Sequence, residues 1–393
     1  MKPDERSKRG PSTRAVHAGS PSPRAGGPVV TPIHQTATFF SDAVPAGEVL
    51  YTRYGTNPNQ LALQERLRTL EGAEAAVVLS SGNAACSLAL LSCVGSGGHI
   101  VAQRELYGGT LRILRRELPR LGIDVTLLPN AEGWAEAIRP ETRALLMEIP
   151  QNPTLRIPDI DEAVTAAKSA GVPLIVDATF ASPINFRPLE HGADLVFHSA
   201  TKYLGGHSDL TAGVVAGSTA RVAEVKELLK SFGPVLDPHA MWLLERGVKT
   251  LALRMARHNE NGLAVAQWLE THPLVEQVFY PGLESHPDHE RARRLFSGFG
   301  GVVSLTVRGG DEAALRVLQR LRLMCVAPSL GGVETLVSMP RFTSHAGLTA
   351  DERRAMGVTD GFIRLALGVE DAADLIADLD QALAPELSAE APH

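Results

Sequence analysis

A lysine near the middle of the chain stands in an unusual setting. The apolar run Asp194–Phe197 indicates a buried strand, and His198-Ser199-Ala200-Thr201-Lys202-Tyr203 follows it directly. Burial lowers the pKa of a lysine amine, and a neutral amine is a nucleophile that can form a Schiff base. Lys202 is therefore the first candidate for covalent chemistry.

Two further polar groups follow predicted strands. Asp177 comes directly after Leu174–Val176, while Ser80-Ser81-Gly82-Asn83 follows Ala75–Leu79 and opens a predicted helix. In an open α/β sheet, ligands bind beyond the carboxyl ends of the strands, and amides at a helix N-terminus bind phosphate. We therefore expect these groups to lie at one site with Lys202.

The combination has the chemical logic of a pyridoxal phosphate site. That cofactor needs a lysine for a Schiff base and an acid that keeps its ring nitrogen protonated, so that the ring acts as an electron sink. It also needs phosphate donors and an aromatic ring against its face. Lys202, Asp177, the Ser81-Gly82 turn and Tyr107 supply these four types of group.

The elements that must position these residues alternate between helix and short apolar run from about Tyr51 to Gly217. Leu63, Leu67 and Leu70 have helical spacing, and Gly72 ends that helix. The further helices predicted here are Ala84–Cys93, Thr110–Leu121 and Asp159–Ala170. The predicted strands are Ala75–Leu79, Ile100–Ala102, Val125–Leu128, Ala144–Ile149, Leu174–Val176, Asp194–Phe197 and Gly213–Ala216. Short runs of this kind are typical of buried parallel strands in an α/β fold.

The pattern changes at about Met241, and we expect a second, smaller α/β region. One long helical stretch is predicted from Met241 through Leu269. The remaining predictions are strands at Val275–Phe279 and Gly301–Val307, and helices at Glu312–Leu321 and Ala372–Leu383. The first 45 residues lack sustained periodicity and indicate an arm. The predicted organisation is an N-terminal arm at 1–48, a large cofactor domain at 49–247 and a small C-terminal domain at 248–393.

Composition excludes several classes of protein. The 393 residues carry 38 Lys and Arg against 44 Asp and Glu, a net charge of −6, which argues against a nucleic-acid binder. Three cysteines imply no disulfide framework, and no signal-type apolar run opens the chain, so we expect a cytoplasmic protein. The uncharged stretch 75–98 is interrupted by turns, which argues against a membrane span. His286 and His289 are expected to be ordinary surface or capping residues, and we predict no metal site.

The motifs resemble those of the trans-sulfuration (Cys/Met metabolism) family of pyridoxal phosphate enzymes over roughly residues 12 to 385. In the cofactor region they are Tyr51-Thr-Arg53, Asn57-Pro58, Ser81-Gly82, Tyr107-Gly-Gly-Thr110, Asn152-Pro153-Thr154, Asp177-Ala-Thr179-Phe180, Ser199-Ala-Thr201-Lys202-Tyr203 and Gly206-His207-Ser208-Asp209. Further along they are Ser329-Leu-Gly-Gly-Val-Glu334-Thr335 and Arg364-Leu-Ala-Leu-Gly368-Val-Glu370. The resemblance implies the aspartate aminotransferase-like fold type I. Such a fold has a large, mostly parallel, seven-stranded sheet domain and a smaller C-terminal α/β domain.

The resemblance also implies residue roles. Lys202 would hold pyridoxal 5'-phosphate covalently and later move protons between Cα, a cofactor carbon and Cβ. Asp177 would pair with the ring nitrogen and Tyr107 would stack on the ring. The other implied cofactor-binding residues are Ser81, Gly82, Ser199, Thr201 and Thr179 from one subunit, with Tyr51 and Arg53 reaching in from a neighbour. The predicted catalytic residues are Lys202, Tyr107 and Tyr51.

The implied substrate-binding residues are Arg364, Ser329, Asn152, Glu334 and Arg112. Arg364 would bind the α-carboxylate as a bidentate fork, with Ser329 and Asn152 nearby. Glu334 would lie near the distal part of the substrate. Arg112 matches an arginine of cystathionine-handling members and would bind a second carboxylate. The implied partners are a small sulfur amino acid and three further copies of the chain, in a dimer of dimers with shared active sites.

The choice of reaction stays open within the family. γ-Elimination and γ-replacement both remove a proton from Cα and then from Cβ, and one mobile lysine can serve both steps. Cystathionine γ-lyase is the first expectation and cystathionine γ-synthase the second. Methionine γ-lyase, O-acylhomoserine sulfhydrylase and cystathionine β-lyase follow. The Tyr107–Thr110 segment lacks the cysteine that typical methionine γ-lyases carry there, which argues against that activity.

Two alternatives come from other classes of protein. One is a pyridoxal phosphate-binding regulatory protein without turnover, which the intact set of Lys202, Asp177 and Arg364 disfavours. The other is a nicotinamide dehydrogenase, which lacks support because no Gly-x-Gly-x-x-Gly turn follows an early strand. The chain departs from the family pattern at Thr56, Asn83, Ala178 and Met339–Phe342.

Overall fold

The computed structural model describes residues 9–43 and 47–384. Positions 1–8 and 44–46 of the predicted arm, and 385–393 of the predicted C-terminal domain, lie outside the described residues. In chain order the α-helices are α1 Pro11–His17, α2 Pro58–Glu71, α3 Gly82–Leu91, α4 Gly108–Arg112, α5 Leu118–Arg120, α6 Trp134–Ala137, α7 Ile160–Ala170, α8 Ser182–Asn185, α9 Thr219–Phe232, α10 Pro238–Val248, α11 Leu251–Glu270, α12 His289–Leu295, α13 Gly310–Arg320, α14 Ala350–Ala355 and α15 Ala372–Leu383. A π-helical turn, Ile113–Glu117, joins α4 to α5, and single 3₁₀ turns occur at Thr52–Tyr54, Pro129–Ala131, Pro188–His191 and Pro340–Phe342.

The large sheet has seven strands in the order β1-β7-β6-β5-β4-β2-β3. They are β1 Ala75–Leu79, β2 His99–Gln103, β3 Asp124–Leu128, β4 Thr142–Glu148, β5 Leu174–Asp177, β6 Leu195–Ser199 and β7 Gly213–Gly217. Six of them run in parallel, and β7 runs against its neighbours β1 and β6. The predicted mostly parallel seven-stranded sheet is confirmed.

One strand of that sheet corrects the sequence reading. Gly213–Ala216 was expected among the parallel strands, but β7 is antiparallel to both neighbours. Residues 200–212 connect β6 to β7 without a helix. A parallel return normally needs a crossover helix, so this short connection turns the chain back instead. Lys202 lies in that turn.

Helices cover both faces of the large sheet, which is why its strands are apolar throughout. One buried cluster joins α2, through Leu63, Leu67 and Leu70, to alternate strand residues such as Val176. The other joins α3 to the opposite face, where Phe197 lies. The sheet is therefore rigidly packed on both sides, and its carboxyl edge can hold side chains in fixed positions.

The helix before β1 has clear ends. Asn57 accepts a hydrogen bond from Asn59 N and forms a capping box with Gln60, and Pro58 is the first helical residue. Gly72 ends the helix in the left-handed region at φ +70°, as its position in the sequence predicts.

The second sheet has five strands in the order β10-β11-β12-β9-β8. They are β8 Val275–Phe279, β9 Val302–Val307, β10 Cys325–Val326, β11 Leu336–Ser338 and β12 Phe362–Ala366. Helices α11, α13 and α15 pack on it around a core of its own. The sequence did not predict β10, β11, β12 or helix α9.

One helical prediction is corrected by the structure. The single stretch Met241–Leu269 is two helices, α10 and α11, which separate at Lys249 and Thr250 rather than at a glycine. The break occurs because the Thr250 and Arg254 side chains bond the Gly247 carbonyl, and Gly247 itself permits a close contact with Gly205 O.

The predicted arm also contains regular structure. Helix α1 packs on α2, with Ala15 fully buried and Arg14 Nη1 donating to Thr69 O at 2.9 Å. The helix is short, so its periodicity is too brief to stand out in the sequence. Across the described part of the chain, no helix has the length and apolar character needed to span a bilayer.

Candidate active site

A cavity of about 700 Å³ lies beyond the carboxyl ends of the parallel strands. Eleven of the predicted site residues line it: Ser81, Gly82, Tyr107, Asn152, Asp177, Thr179, Ser199, Thr201, Lys202, Ser329 and Arg364. Four predicted site residues do not line it: Tyr51, Arg53, Arg112 and Glu334. The cavity thus combines groups from the ends of five strands of the large sheet, β1, β2, β4, β5 and β6, with Arg364 from strand β12 of the small one.

Lys202 points from the β6–β7 turn toward the small sheet. Its Nζ donates a hydrogen bond of 2.7 Å to Ser329 Oγ. Burial, and then the positive charge of Arg364, lower the pKa of this amine to about 8. A substantial fraction of the amine is therefore neutral at slightly alkaline pH, as a nucleophile or base requires.

Asp177 ends strand β5 and is buried. Its Oδ1 accepts hydrogen bonds from Thr179 N at 2.9 Å and from Thr179 Oγ1 at 2.5 Å. Burial raises the pKa of Asp177, while the Thr179 hydrogen bonds and the charge of His198 oppose that rise. The arrangement holds a carboxyl group in a fixed orientation at the cavity floor.

The turn between β1 and α3 has the features of an anion cradle. Ser81 caps α3, its Oγ accepting from Ala84 N at 3.1 Å. Gly82 lies so close to Ser199 that an added Cβ would be 2.6 Å from the Ser199 Cβ. Only glycine allows this approach, which places the first amides of a ten-residue helix beside the Ser199 side chain.

Arg364 brings a buried positive charge to the cavity from strand β12. Its Nη1 donates to Asn152 Oδ1 at 3.1 Å and its Nη2 to the Ser329 carbonyl at 3.0 Å. Its Nε has no hydrogen-bond partner, and Arg364 has no carboxylate partner, among residues 9–43 and 47–384. Burial lowers its pKa to about 10. A buried guanidinium without a counter-charge favours an anionic ligand.

Tyr107 lies at the rim of the cavity, with 43% of its surface exposed. Its backbone N donates to Glu148 Oε2 at 2.8 Å. An added Cβ at Gly109 would be 2.4 Å from Cε1 of the ring. The ring therefore leans over the start of α4 and presents an aromatic surface to the cavity.

Tyr51 and Arg53 form a separate cluster outside this cavity. The Arg53 guanidinium lies 5.5 Å from the Tyr51 ring centre and 5.0 Å from that of Tyr54, and its Nη1 donates to Lys230 O at 2.6 Å. Thr56 is buried beside them, where its hydroxyl accepts from Tyr51 N at 2.8 Å. Within one chain, none of these residues lines the cavity.

Glu334 and Arg112 also lie apart from the lining. Glu334 is exposed, and Ser208 Oγ donates to its Oε2 at 3.3 Å. Arg112 is exposed on α4.

Several residues that line the cavity were not predicted from the sequence as site residues. Glu148 is the clearest, because a charged residue inside the apolar run Ala144–Ile149 is a signal that was available. It is buried beside Asp177 in the sheet register, and burial followed by the Asp177 charge raises its pKa well above the usual range. Phe342, Thr343 and Ser344 also line the cavity, and two of the noted departures, Asn83 and Phe342, are among the lining residues.

Comparison with known proteins gives matches over almost the whole length. The chain is 42% identical over 376 residues to a cystathionine γ-lyase of Bacillus subtilis (strain 168), covering 94% of this chain and 98% of the relative. It is 42% identical over 397 residues to an L-methionine γ-lyase of Porphyromonas gingivalis (strain ATCC BAA-308 / W83), covering 98% and 99%. The crystal structure of metB from Corynebacterium glutamicum matches with a TM-score of 0.91 at 36% identity, covering 96% and 98%.

Identity does not separate the reactions that these relatives are named for. Relatives named cystathionine γ-lyase, L-methionine γ-lyase, cystathionine β-lyase and cystathionine γ-synthase all match at 41–42% identity. The comparisons therefore show a family and leave its individual reactions open.

The residues of the cavity fit pyridoxal 5'-phosphate. The amine of Lys202, the carboxyl of Asp177 and the glycine cradle at Gly82 are the chemical groups that this cofactor requires. A sequence model of the "Cys/Met metabolism PLP-dependent enzyme" family matches residues 12–384. The chain belongs to this family of trans-sulfuration enzymes, which use pyridoxal 5'-phosphate as cofactor.

Proposed function

We propose that this enzyme cleaves the Cγ–S bond of cystathionine, giving cysteine, 2-oxobutyrate and ammonia. The observation that carries the proposal is that Ser329 joins the Lys202 amine to the Arg364 guanidinium in one cavity. Ser329 accepts from Lys202 Nζ through its hydroxyl and from Arg364 Nη2 through its carbonyl. A group that moves protons and a group that binds a carboxylate thus lie on either side of one residue.

Arg364 is proposed to bind the α-carboxylate of the amino-acid substrate. Its hydrogen bonds to Asn152 and Ser329 leave Nε without a partner among residues 9–43 and 47–384, and Asn152 fixes the guanidinium plane through Nη1. A charged, oriented fork of this kind holds a carboxylate in one plane, which in turn fixes the direction of the Cα–H bond. Lys202, on the other side of Ser329, is the base placed to receive that proton.

When bound, pyridoxal phosphate supplies an electron sink that stabilises the charge left by removal of the Cα proton. Lys202, Asp177, Ser81, Gly82, Ser199, Thr201, Thr179 and Tyr107 are the residues of this subunit proposed to hold it. Lys202 is the proposed carrier of protons from Cα and then Cβ, since its lowered pKa makes both protonation states accessible near neutral pH.

Cystathionine γ-synthase is the second candidate, since γ-replacement uses the same proton transfers. Its last stage is addition of the cysteine sulfur at Cγ of an O-acylhomoserine rather than release of 2-oxobutyrate. Methionine γ-lyase, O-acylhomoserine sulfhydrylase and cystathionine β-lyase follow. Arg112 and Glu334 are expected to bind the distal part of cystathionine, but neither lines the cavity. The distal end of the substrate is therefore the least constrained part of the proposal.

We also propose a homotetramer in which Tyr51 and Arg53 complete the site of a neighbouring subunit. They lie outside their own cavity, and apolar side chains on the same N-terminal stretch, including Val29 and Phe40, are exposed on the single chain. Mixing Tyr51→Phe and Lys202→Ala chains tests this. Shared sites predict that the mixture regains activity that neither variant has alone, whereas separate sites predict no recovery.

The reaction is tested by giving the purified holoenzyme L-cystathionine and identifying the products. Cysteine with 2-oxobutyrate supports γ-cleavage, and homocysteine with pyruvate supports β-cleavage instead. If cystathionine is unchanged, an O-acylhomoserine with cysteine tests synthesis. Absence of turnover with all sulfur amino acids, in protein that binds the cofactor, would favour the regulatory alternative.

A further inference from the structure

A buried ion pair lies behind the cofactor-binding end of the sheet. His198 Nε2 and Glu71 Oε1 are 2.5 Å apart, and each side chain is 2% exposed. His198 is the last residue but one of strand β6, just before Ser199, and Glu71 is the last residue of helix α2. Two ionisable groups are expensive to bury, so a pair that serves only packing would be replaceable by apolar residues of similar size.

The pair lies behind the strand end that carries Asp177, on the face of the sheet that α2 covers. Strands β5 and β6 are neighbours, and Asp177 is opposite Phe197, the residue before His198. Burial lowers the pKa of His198. Glu71, and then Asp177 and the backbone of Ala178, raise this pKa by more than burial lowers it, so the net shift is upward. The imidazole thus lies with Glu71 on the sheet face opposite to Asp177, and its charge acts on Asp177 from behind the strand.

Asp177 also has a neighbour that works against its ionisation. Glu148 is opposite Asp177 in the register of β4 and β5, and both carboxyl groups are buried. Like charges so close cannot both be ionised at low cost. A positive charge near Asp177 therefore decides which of the two carboxyl groups keeps its proton.

We propose that His198, held in its charged form by Glu71, is a positioning residue that keeps Asp177 ionised against the ring nitrogen of pyridoxal phosphate. The charged groups around it are Glu71 on α2, Asp177 on β5 and Glu148 on β4, with Arg14 on α1 acting on Glu71 from outside. Glu148 is then the carboxyl that carries the proton. The inference rests on the cofactor and not on the choice of substrate.

The chain offers a matched control at His99. It is buried in strand β2 of the same sheet, but its ring bonds the hydroxyls of Thr142 at 2.8 Å and Thr126 at 2.9 Å rather than a carboxylate. His99→Gln therefore removes a histidine that is as buried as His198, without changing the charges around Asp177. Glu71→Gln removes the counter-charge while leaving His198 in place.

The experiment measures the dissociation constant of pyridoxal phosphate for the apo forms of wild type, His198→Gln, Glu71→Gln and His99→Gln. It repeats the titration with the 1-deaza analogue, whose ring carries carbon in place of nitrogen. We expect His198→Gln and Glu71→Gln to weaken binding of the natural cofactor by about tenfold, the equivalent of one pKa unit at Asp177. His99→Gln should change it by less than about twofold, and the analogue should bind wild type and all three variants alike.

Two results would overturn the proposal. One is equal loss of affinity for the cofactor and the analogue in His198→Gln, which would mean a general structural role. The other is unchanged affinity in both His198→Gln and Glu71→Gln. If His198→Gln does not fold, Glu71→Gln carries the test alone. Failure of the cofactor assignment is distinguishable, because wild type would then bind no pyridoxal phosphate through Lys202.

Discussion

Lys202 and Ser329 are joined by a hydrogen bond of 2.7 Å although 127 residues separate them in sequence. Lys202 belongs to the turn that leaves strand β6 of the large sheet, and Ser329 lies between β10 and β11 of the small one. Ser329 has a φ of +95°, which is unusual for a residue other than glycine. This single residue sets the distance between the amine and the guanidinium of Arg364.

The first prediction concerns pH. Because burial and the charge of Arg364 lower the pKa of Lys202 to about 8, only the fraction of amine that is neutral can capture the cofactor. The rate of capture by the apoenzyme should rise with pH, with a midpoint near 8, and level off above it. Stopped-flow absorbance from pH 6 to 10 measures this rate, and a midpoint near the ordinary lysine value of 10.5 would contradict it.

Two substitutions should shift that midpoint in opposite directions. Ser329→Ala removes an acceptor that stabilises the charged amine, so the midpoint should fall. Arg364→Met removes a nearby positive charge, so the midpoint should rise. The same stopped-flow series compares the two variants. Shifts of the same sign would mean that local distortion, not charge, controls the amine.

Arg364→Lys should impair substrate binding although the charge is kept. A lysine cannot reproduce the planar fork or bond both Asn152 and the Ser329 carbonyl. Loss of one charge-assisted hydrogen bond, worth about 1.5–3 kcal/mol, predicts a rise in KM of about 10- to 100-fold. Steady-state kinetics measure it, and absorbance titration should find the cofactor affinity unchanged.

Gly82→Ala should weaken cofactor binding because the added methyl group would meet Ser199 at 2.6 Å. The cradle would have to open, which removes the first amides of α3 from the position that a phosphate needs. Gly95→Ala is the control, since an added Cβ there has no described atom within 4 Å. Titration of both apo variants with pyridoxal phosphate should show a loss of affinity for Gly82→Ala alone. Equal affinities of the two variants would exclude the turn as the phosphate site.

Glu245→Ala should lower the free energy of unfolding more than a Glu→Ala substitution in a solvent-exposed ion pair. Arg66 is fully buried, and its Nη2 bonds Glu245 Oε1 at 3.1 Å, linking α2 to α10. Removing the carboxylate leaves a buried charge without its partner, at a cost of about 3–5 kcal/mol.

Thermal unfolding of the apoenzyme measures the effect. Glu65→Ala, which breaks the half-exposed pair with Arg68, should cost less than about 1 kcal/mol and serves as the control. A similar fall in Tm for both variants would show that the buried pair contributes nothing beyond a surface pair.

Local pattern determined much of the large sheet. The runs that became β1, β5 and β6 are short, apolar and bounded by turns, and Asp177 and the segment after Phe197 interrupt them with polar groups at the strand ends. Because parallel strands end at one edge, it follows from the sequence that Lys202, Asp177 and the Ser81-Gly82 turn share a site. The chemistry of these groups together indicated pyridoxal phosphate, and the resemblance of the motifs added the family and Arg364.

Only the tertiary structure decided the remaining relationships, because they depend on distances between segments far apart in the chain. Strand β12 was not predicted, since Arg364 interrupts its apolar run, and its place beside Ser329 follows from the small sheet's register. The direction of β7 followed from a connection too short for a crossover. The pair of Glu71 and His198 could not be read locally either, because a helix end and a strand end 127 residues apart meet only once the sheet is packed.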